Sequence, residues 1–227
     1  MSVIARLLDS LLPQDCYACG AAAGRDLLCP ACLRELPLLA PDRCPQCALP
    51  SPHGQRCGAC LRDQPHYDAT VARWAYEFPV REMVQALKYQ ARLALAPWLA
   101  RGVADLKPHH AECVIALPLH PARLAERGFN QSVEIARLLA RQWGLPLLLD
   151  ACVKDRLVEP QARLPWKARR KNIRGAFRCI TNLDGKRIVV VDDVMTTGAT
   201  LDEFAKTLKQ RGAAHVTNVV IARTLHK

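Results

Sequence analysis

Eight cysteines in the first 60 residues have the spacing of metal ligands. They form four CxxC pairs, nine residues separate the two pairs of each half, and the second half repeats the first after 28 residues. Two thiolates three positions apart can bind one Zn²⁺ at Zn–S distances of about 2.3 Å, and two such pairs complete a tetrahedron. The sequence therefore predicts two structural zinc sites. The predicted ligands are Cys16, Cys19, Cys29, Cys32, Cys44, Cys47, Cys57 and Cys60.

Other chemistry fits this cysteine pattern less well. Redox-active CxxC pairs seldom recur at a regular period, and a catalytic zinc needs an open position that four sulfur ligands do not leave. His53 is a further candidate ligand, although an ordinary loop histidine without a metal is the favoured interpretation. The repeat favours zinc sites formed within each half over sites formed across the halves. Three isolated cysteines, Cys113, Cys152 and Cys179, lie in apolar segments and are predicted to be buried.

A second candidate site occupies residues 188–201, where an apolar run leads into two carboxylates, Asp192 and Asp193. Threonine hydroxyls and one glycine follow, and Gly198 would let the backbone approach a phosphate. The free N–H groups at the start of a helix favour an anion there. The carboxylates can accept hydrogen bonds from sugar hydroxyls or face a metal ion on a polyphosphate. The segment is predicted to bind a ribose and its phosphate; the alternative is an ordinary helix capped by Asp and Thr.

Predicted strands and helices alternate from residue 69 to residue 223. Apolar runs predict strands at 69–78, 113–119, 187–191 and 215–223, and helical periodicity predicts helices at 80–90, 93–106, 130–143 and 202–211. Apolar strands separated by helices indicate an α/β fold, a mostly parallel sheet with helices on both faces. Ligands of such sheets bind beyond the carboxyl ends of the strands. The two carboxylates are expected at that edge.

Charge divides the 227-residue chain where the cysteines do. Residues 1–66 hold 6 basic and 6 acidic residues, whereas residues 67–227 hold 26 and 15 and so carry the whole net charge of +11. We therefore expect a zinc-binding module at 1–66 and an α/β domain at 67–227. No run of 18 uncharged apolar residues and no signal-peptide cleavage pattern is found, so we expect a cytoplasmic protein without membrane insertion. In a cytoplasmic protein, where thiols are kept reduced, eleven cysteines favour metal binding over disulfides.

Seven basic residues and no acidic residue lie between positions 163 and 178. Such a run suits the phosphates of a nucleic acid or of a small polyphosphate, and an ordinary solvated surface has the same pattern. Trp166 and Phe177 are the only aromatic residues of that stretch that could stack on bases. The candidate nucleic-acid contacts are Lys167, Arg169, Arg170, Lys171 and Arg174.

Residues 188–201 resemble the 5-phosphoribosyl 1-pyrophosphate (PRPP) signature of type I phosphoribosyltransferases. Further motifs occur in the order seen in the competence protein F (ComF) family, which also includes the GntX proteins. They are Lys88 in QALKYQAR, RGFNQ at 127–131, and Gln161, Arg169, Asn172 and GAF at 175–177. The N-terminal repeat is similar to the double zinc ribbon of that family. The resemblance covers nearly the whole chain.

The resemblance implies a type I phosphoribosyltransferase-like fold that binds PRPP with Mg²⁺. It implies that Asp192 and Asp193 hold the ribose hydroxyls, and that Lys88, Arg127 and Arg169 neutralise the departing pyrophosphate. The implied 5′-phosphate loop consists of Thr196, Thr197, Gly198, Ala199 and Thr200. The implied pyrophosphate turn consists of Pro118, Leu119 and His120.

The resemblance leaves three functions open. The first is a Mg²⁺-dependent phosphoribosyltransferase that releases pyrophosphate. The second is a factor in DNA uptake, natural transformation or the use of DNA as a nutrient, which would contact single-stranded DNA and a helicase-type partner. The third is a PRPP sensor without catalysis. Thr196 stands where the hypoxanthine–guanine enzymes have an aspartate that works on the purine, and a threonine is no general base at neutral pH, which argues against that specificity.

Overall fold

The structure, a computed structural model, describes residues 14–157 and 172–225. Its strands are β1 (Gln14–Asp15), β2 (Ala22–Gly24), β3 (Ala69–Ala75), β4 (Cys113–Ala116), β5 (Cys152–Lys154), β6 (Phe177–Cys179), β7 (Arg187–Met195) and β8 (His215–Arg223). Its helices are α1 (Pro30–Arg34), α2 (Gly58–Arg62), α3 (Val80–Tyr89), α4 (Leu95–Arg101), α5 (Pro121–Arg127), α6 (Gln131–Trp143) and α7 (Ala199–Gln210). Short 3₁₀ helices lie at Pro52–Gly54 and Ala104–Leu106.

Four parallel strands form the central sheet in the order β3-β8-β7-β4. Alternate residues of β7 enter two separate cores. Val190 packs in the core that holds Phe204 of α7, and Val191 packs in the core that holds Ile135 of α6. Both faces of the sheet are therefore covered, which is why β7 is apolar without alternation up to its acidic residues. The predicted fold class, a parallel sheet with helices on both faces, is confirmed.

The strand that carries the two carboxylates is longer than predicted. The apolar run predicts an end at Val191, but β7 continues to Met195 because β8 supplies backbone partners that far, with Asp192 opposite Val220 and Met195 opposite Arg223. Pairing in the middle of a sheet outweighs the weak strand propensity of aspartate. Asp192 and Asp193 thus belong to a rigid strand rather than to a loop.

Helix bounds differ from the prediction at two places. Helix α7 begins at Ala199, three residues early, after Gly198 as its N-cap residue. The helix predicted at 93–106 is split into α4 and the 3₁₀ turn Ala104–Leu106. The antiparallel β5–β6 pair and α5 were not predicted, because none of them shows an extended hydrophobic period. The three isolated cysteines are buried as predicted, and Cys152 lies opposite Cys179 in that strand pair.

The cysteine-rich segment contains little regular structure among the described residues. Strands β1 and β2 form a small antiparallel pair, and α1 and α2 begin directly after Cys29 and Cys57. The two helices occupy equivalent places in the sequence repeat. Within the described ranges, no helix combines the length and the apolar character needed to cross a bilayer.

Candidate functional site

The eight N-terminal cysteines form two separate clusters of four, one in each half of the repeat. Within each cluster all ligand atoms lie within 4.8 Å of one another. The Sγ atoms of Cys19 and Cys29 are 3.8 Å apart, and those of Cys47 and Cys57 are 3.6 Å apart. A tetrahedron with Zn–S bonds of about 2.3 Å has sulfurs about 3.8 Å apart. The clusters therefore fit two structural zinc ions held within the halves, as the repeat predicts, and His53 belongs to neither cluster.

Backbone amides stabilise a thiolate at the first cysteine of each cluster. Burial acts to raise the pKa of Cys16, but N–H groups led by that of Cys29, which donates to Cys16 Sγ at 3.3 Å, lower the pKa to about 6. At Cys44 burial again acts to raise the pKa, but N–H groups led by that of Cys57 lower the pKa to about 7. Since the thiolate is the metal-binding form of cysteine, Cys16 and Cys44 are prepared to bind a metal ion, whereas burial raises the pKa of Cys47 to about 11.

The two predicted carboxylates lie side by side in β7 and are buried. Asp192 is 8% exposed and accepts a hydrogen bond from Ser132 Oγ at 2.8 Å. Asp193 is 2% exposed, and its Oδ2 lies 2.6 Å from Nζ of Lys88. Lys88 reaches this position from the last turn of α3, which is anchored in the core by Leu87. The structure thus brings together three of the residues predicted to act at the site.

Burial and neighbouring charges shift the pKa values of Asp192 and Lys88. Burial, followed by the negative charge of Asp193, raises the pKa of Asp192 to about 7, although Lys88 and Ser132 act in the opposite direction. Burial also acts to lower the pKa of Lys88, but the attraction of the two carboxylates outweighs it and the pKa of Lys88 is raised. Lys88 is therefore a permanent cation at neutral pH. Such perturbed groups in contact with one another are typical of functional sites.

The threonine-rich loop that follows β7 is tightly constrained. Gly198 has φ +81°, and a Cβ atom there would lie 2.5 Å from Met195 Cε and 3.0 Å from the hydroxyl of Tyr67. Thr197 Oγ1 accepts a hydrogen bond from the N–H of Ala199 at 3.4 Å, and Thr196 is exposed. Only glycine fits position 198, so the loop has the small residue that a phosphate-binding turn requires.

A cation-rich cleft of about 230 Å³ lies beside the acid pair. It is lined by residues that include Lys88, Tyr89, Arg127 and an ion pair of Arg123 with Glu126 at 2.6 Å. The Arg127 guanidinium carbon lies 5.6 Å from the centre of the Tyr89 ring. Lys88 and Arg127, which are 39 positions apart in the sequence, thus line the same cleft. Arg123 was missed, although its i, i+4 spacing from Arg127 on α5 puts both on one helix face. The cleft can accommodate an anion.

The turn after β4 is held by side chains of neighbouring helices. Asn130 Nδ2 donates to the carbonyl of Leu117 at 3.0 Å, and the half-buried residues 118–120 follow. His120 Nδ1 accepts from the N–H of Ala122 at 3.1 Å and so caps α5. Because Nδ1 is an acceptor, the neutral ring carries its proton on Nε2. Pro118, Leu119 and His120 therefore form an ordered turn at the end of the strand beside β7.

The predicted nucleic-acid contacts mostly lie outside the described residues: Lys167, Arg169, Arg170 and Lys171. Arg174 is described and is exposed. The proposal that Phe177 stacks on bases is wrong, because Phe177 is 7% exposed and packs edge-on against Phe204 with ring centres 5.0 Å apart. Arg178 forms an ion pair with Asp155 at 2.7 Å.

Family models match two parts of the chain. Residues 7–61 match the double zinc ribbon domain, and residues 129–227 match the phosphoribosyl transferase domain. Among solved structures, the glutamine PRPP amidotransferase of Bacillus subtilis is 24% identical and covers 55% of this chain and 25% of its own, with a TM-score of 0.40.

Curated relatives extend over most of the chain. The DNA utilization protein YhgH of Escherichia coli O157:H7 is 33% identical over 170 residues, which are 71% of this chain and 74% of that protein. Competence protein F of Haemophilus influenzae is 30% identical over 164 residues, which are 67% of this chain and 72% of that protein. With this identity, this coverage and both domain matches, the chain belongs to the competence protein F family, whose double zinc ribbon and phosphoribosyltransferase domain it carries.

Proposed function

We propose that the chain binds PRPP with Mg²⁺ at the carboxyl end of β7. The observation that carries this proposal is the buried acid pair that runs directly into a loop in which only glycine fits position 198. Asp192 and Asp193 would accept hydrogen bonds from the two ribose hydroxyls. Loop residues 196–200 would bind the 5′-phosphate through hydroxyls and backbone amides.

The pyrophosphate end of PRPP would lie in the cation-rich cleft. Lys88 contacts Asp193 of the acid pair and also lines this cleft, so it would connect the sugar site to the pyrophosphate site. Arg127 would supply further positive charge there, whereas the charge of Arg123 is already paired with Glu126. The turn at 118–120 would contact the same phosphates. Mg²⁺, which prefers hard oxygen ligands, would neutralise negative charge on the pyrophosphate beside the carboxylates of Asp192 and Asp193.

We further propose that the protein transfers the phosphoribosyl group. In this reaction the bond between the anomeric carbon and the pyrophosphate oxygen breaks, the electron pair leaves with pyrophosphate, and an acceptor nucleophile forms the new bond to carbon. Fixed cations that stabilise charge developing on the leaving group are usually the largest catalytic contribution. Lys88 and Arg127 would serve this role, and the acid pair would hold the sugar as it becomes cation-like.

Calorimetry with PRPP and Mg²⁺ tests the binding site. We expect the wild-type chain to bind and Asp193→Asn to bind about 30-fold more weakly, because hydrogen bonds to a charged group contribute about 2 kcal/mol. Asp150→Asn, at an exposed position, serves as the matched control and should leave the affinity unchanged. Equal affinities of wild type and Asp193→Asn would overturn the placement of the ribose. Release of pyrophosphate on addition of an acceptor would support transfer, whereas binding without release would identify a PRPP sensor.

We also propose a cytoplasmic role in the uptake or use of DNA. This rests on relatives named for DNA utilization and competence, and on a net charge of +11 carried by residues 67–227. Single-stranded DNA would contact the basic run at 163–178, and a helicase-type protein would be the partner of the zinc ribbon module. We retain residues 1–66 and 67–227 as the division of the chain, with β3 beginning at Ala69.

Salt dependence tests the DNA contact. We expect the affinity for single-stranded DNA to fall steeply with salt, with a log–log slope that becomes less steep by about 1.4 in Arg169→Ala/Arg170→Ala, since each phosphate contact contributes about 0.7. Arg137→Ala/Arg141→Ala removes the same charge from the exposed face of α6 and should leave the slope unchanged. Fluorescence anisotropy at several salt concentrations measures the slopes, and a flat dependence would exclude this contact.

A further inference from the structure

Arg223, the last residue of β8, is a buried guanidinium that joins the second cysteine cluster to the phosphate loop. It is 1% exposed. Its Nε donates to the carbonyl of Cys47 at 2.8 Å, and its Nη1 donates to the carbonyl of Met195 at 3.0 Å. The same Nη1 also donates to the carbonyls of Thr196 and Thr224. One side chain therefore contacts a metal-ligating residue and the start of the loop that follows the acid pair.

The charge of Arg223 requires a counter-charge that its hydrogen-bond partners do not provide. All four acceptors are neutral carbonyls, and no carboxylate is among the partners that the structure gives Arg223 in the described part of the chain. A divalent ion held by four thiolates carries a net charge of −2, so the loaded second cluster would place negative charge beside this buried cation.

A second set of contacts links the same cluster to the same loop. Gln46, which lies between two ligating cysteines, is 1% exposed, and its Nε2 donates to the carbonyl of Tyr67 at 3.1 Å. The Tyr67 ring in turn packs against Gly198, as the short distance from its hydroxyl to a Cβ at position 198 shows. The turn between Cys44 and Cys47, which contains Gln46, therefore holds Tyr67 in place against Gly198 of the phosphate loop.

The first cysteine cluster packs elsewhere. Tyr17, next to Cys16, donates through its hydroxyl to the carbonyl of Glu82 in α3 at 3.2 Å. Cys16 and Cys29 lie in a small apolar cluster against which Trp98 of α4 packs. In the described ranges, none of the hydrogen bonds given for this cluster reaches residues 195–200. The first cluster, which has four cysteines with the same spacing but different contacts, thus serves as an internal control for the second cluster.

We propose that Arg223 is a positioning residue through which the second cysteine cluster holds the phosphate loop, so that loading of this cluster and binding of PRPP strengthen each other. Loading of the first cluster has no such effect. The inference rests on the proposed PRPP site. Because coupling between two binding sites is reciprocal, PRPP must increase the zinc affinity of the second cluster by the same factor by which zinc increases the PRPP affinity.

Equilibrium competition with a zinc chelator of known affinity tests this coupling on the full chain, which should hold two zinc ions by elemental analysis. We expect PRPP with Mg²⁺ to raise the affinity of one of the two zinc ions about tenfold, within the usual range of coupling between sites. In Cys16→Ser/Cys19→Ser the remaining zinc should still respond to PRPP. In Cys44→Ser/Cys57→Ser the remaining zinc should not respond, and PRPP should bind about tenfold more weakly.

Arg223→Lys keeps the positive charge, but a single ammonium cannot donate to the Cys47 carbonyl and to the Met195 carbonyl together. We expect this variant to retain both zinc ions while PRPP no longer raises zinc affinity, an outcome that loss of folding could not produce. If PRPP binds the wild type but changes neither zinc affinity, the coupling is refuted and the PRPP site stands. If PRPP does not bind the zinc-loaded wild type in calorimetry, the proposed function and the coupling are both refuted.

Discussion

Replacing Lys88 with methionine is expected to lower the free energy of unfolding by about 3 kcal/mol, because breaking a buried ion pair leaves a carboxylate in the interior without its partner. The ammonium lies 2.6 Å from Asp193 Oδ2, and the two side chains are 19% and 2% exposed. Solvent can therefore screen the pair only weakly. Methionine conserves most of the volume of the lysine stem, so the effect reports the charge. Urea denaturation of both proteins measures it.

The loss of folding free energy in Lys88→Met should increase as the pH rises. Lys88 acts to lower the pKa of Asp192, so without Lys88 that pKa rises further and the native state retains a proton that the unfolded chain has released. Since the native state then binds more protons, the free energy of unfolding falls as the pH rises from about 4 through the native pKa. The destabilisation by Lys88→Met should thus be larger at pH 8 than at pH 5. An unchanged or smaller loss at pH 8 would contradict this account of the site.

Two further variants separate charge from packing at Lys88. Lys88→Met/Asp193→Asn removes both charges and should recover most of the lost stability without recovering PRPP binding. Arg81→Met, on the same helix, breaks an exposed ion pair with Glu82 and should cost far less stability than Lys88→Met, because solvent screens the exposed pair. A double variant as unstable as Lys88→Met would mean that the lysine stem, not its charge, supports the fold.

The sequence predicted the elements whose signals are local. The apolar runs of β4, β7 and β8 mark strands buried on both faces, and the position of Asn130 marks the start of α6, where its side chain accepts from the N–H of Ser132 at 2.9 Å. The CxxC spacing predicted both cysteine clusters correctly, because the ligands of each cluster lie within 17 consecutive residues. These features depend on neighbours close in the chain.

The sequence did not predict features that depend on distant contacts. The continuation of β7 through Asp192 is determined by its partner β8. The burial of Phe177 depends on its contact with Phe204 from another element. Arg223 follows an apolar strand and resembles any basic residue at a strand end, and only the fold brings it to Cys47, 176 positions away. Local patterns thus located the candidate site, but not the contacts that hold it.

The second large effect is expected in the phosphate loop, where a single methyl group added at Gly198 should lower both stability and PRPP affinity. Alanine at position 198 must adopt φ +81°, at a cost of about 1 kcal/mol. Its Cβ would also lie 2.5 Å from Met195 Cε, the end of a flexible side chain, and 3.0 Å from the Tyr67 hydroxyl, so overpacking adds about 1 kcal/mol. We therefore expect Gly198→Ala to lower the free energy of unfolding by about 2 kcal/mol and to lower PRPP affinity about tenfold.

Gly144→Ala is the matched control for backbone strain. Gly144 has φ +65°, ends α6, and has no heavy atom within 4 Å of the place of an added Cβ. Its substitution should cost only the backbone contribution of about 1 kcal/mol and leave PRPP binding intact. Adding Tyr67→Phe to Gly198→Ala removes one of the two close contacts and should restore part of the stability. If the two alanine variants were equally stable, the packing of Tyr67 and Met195 against Gly198 would not constrain the loop, and the zinc ribbon could not act on it by that path.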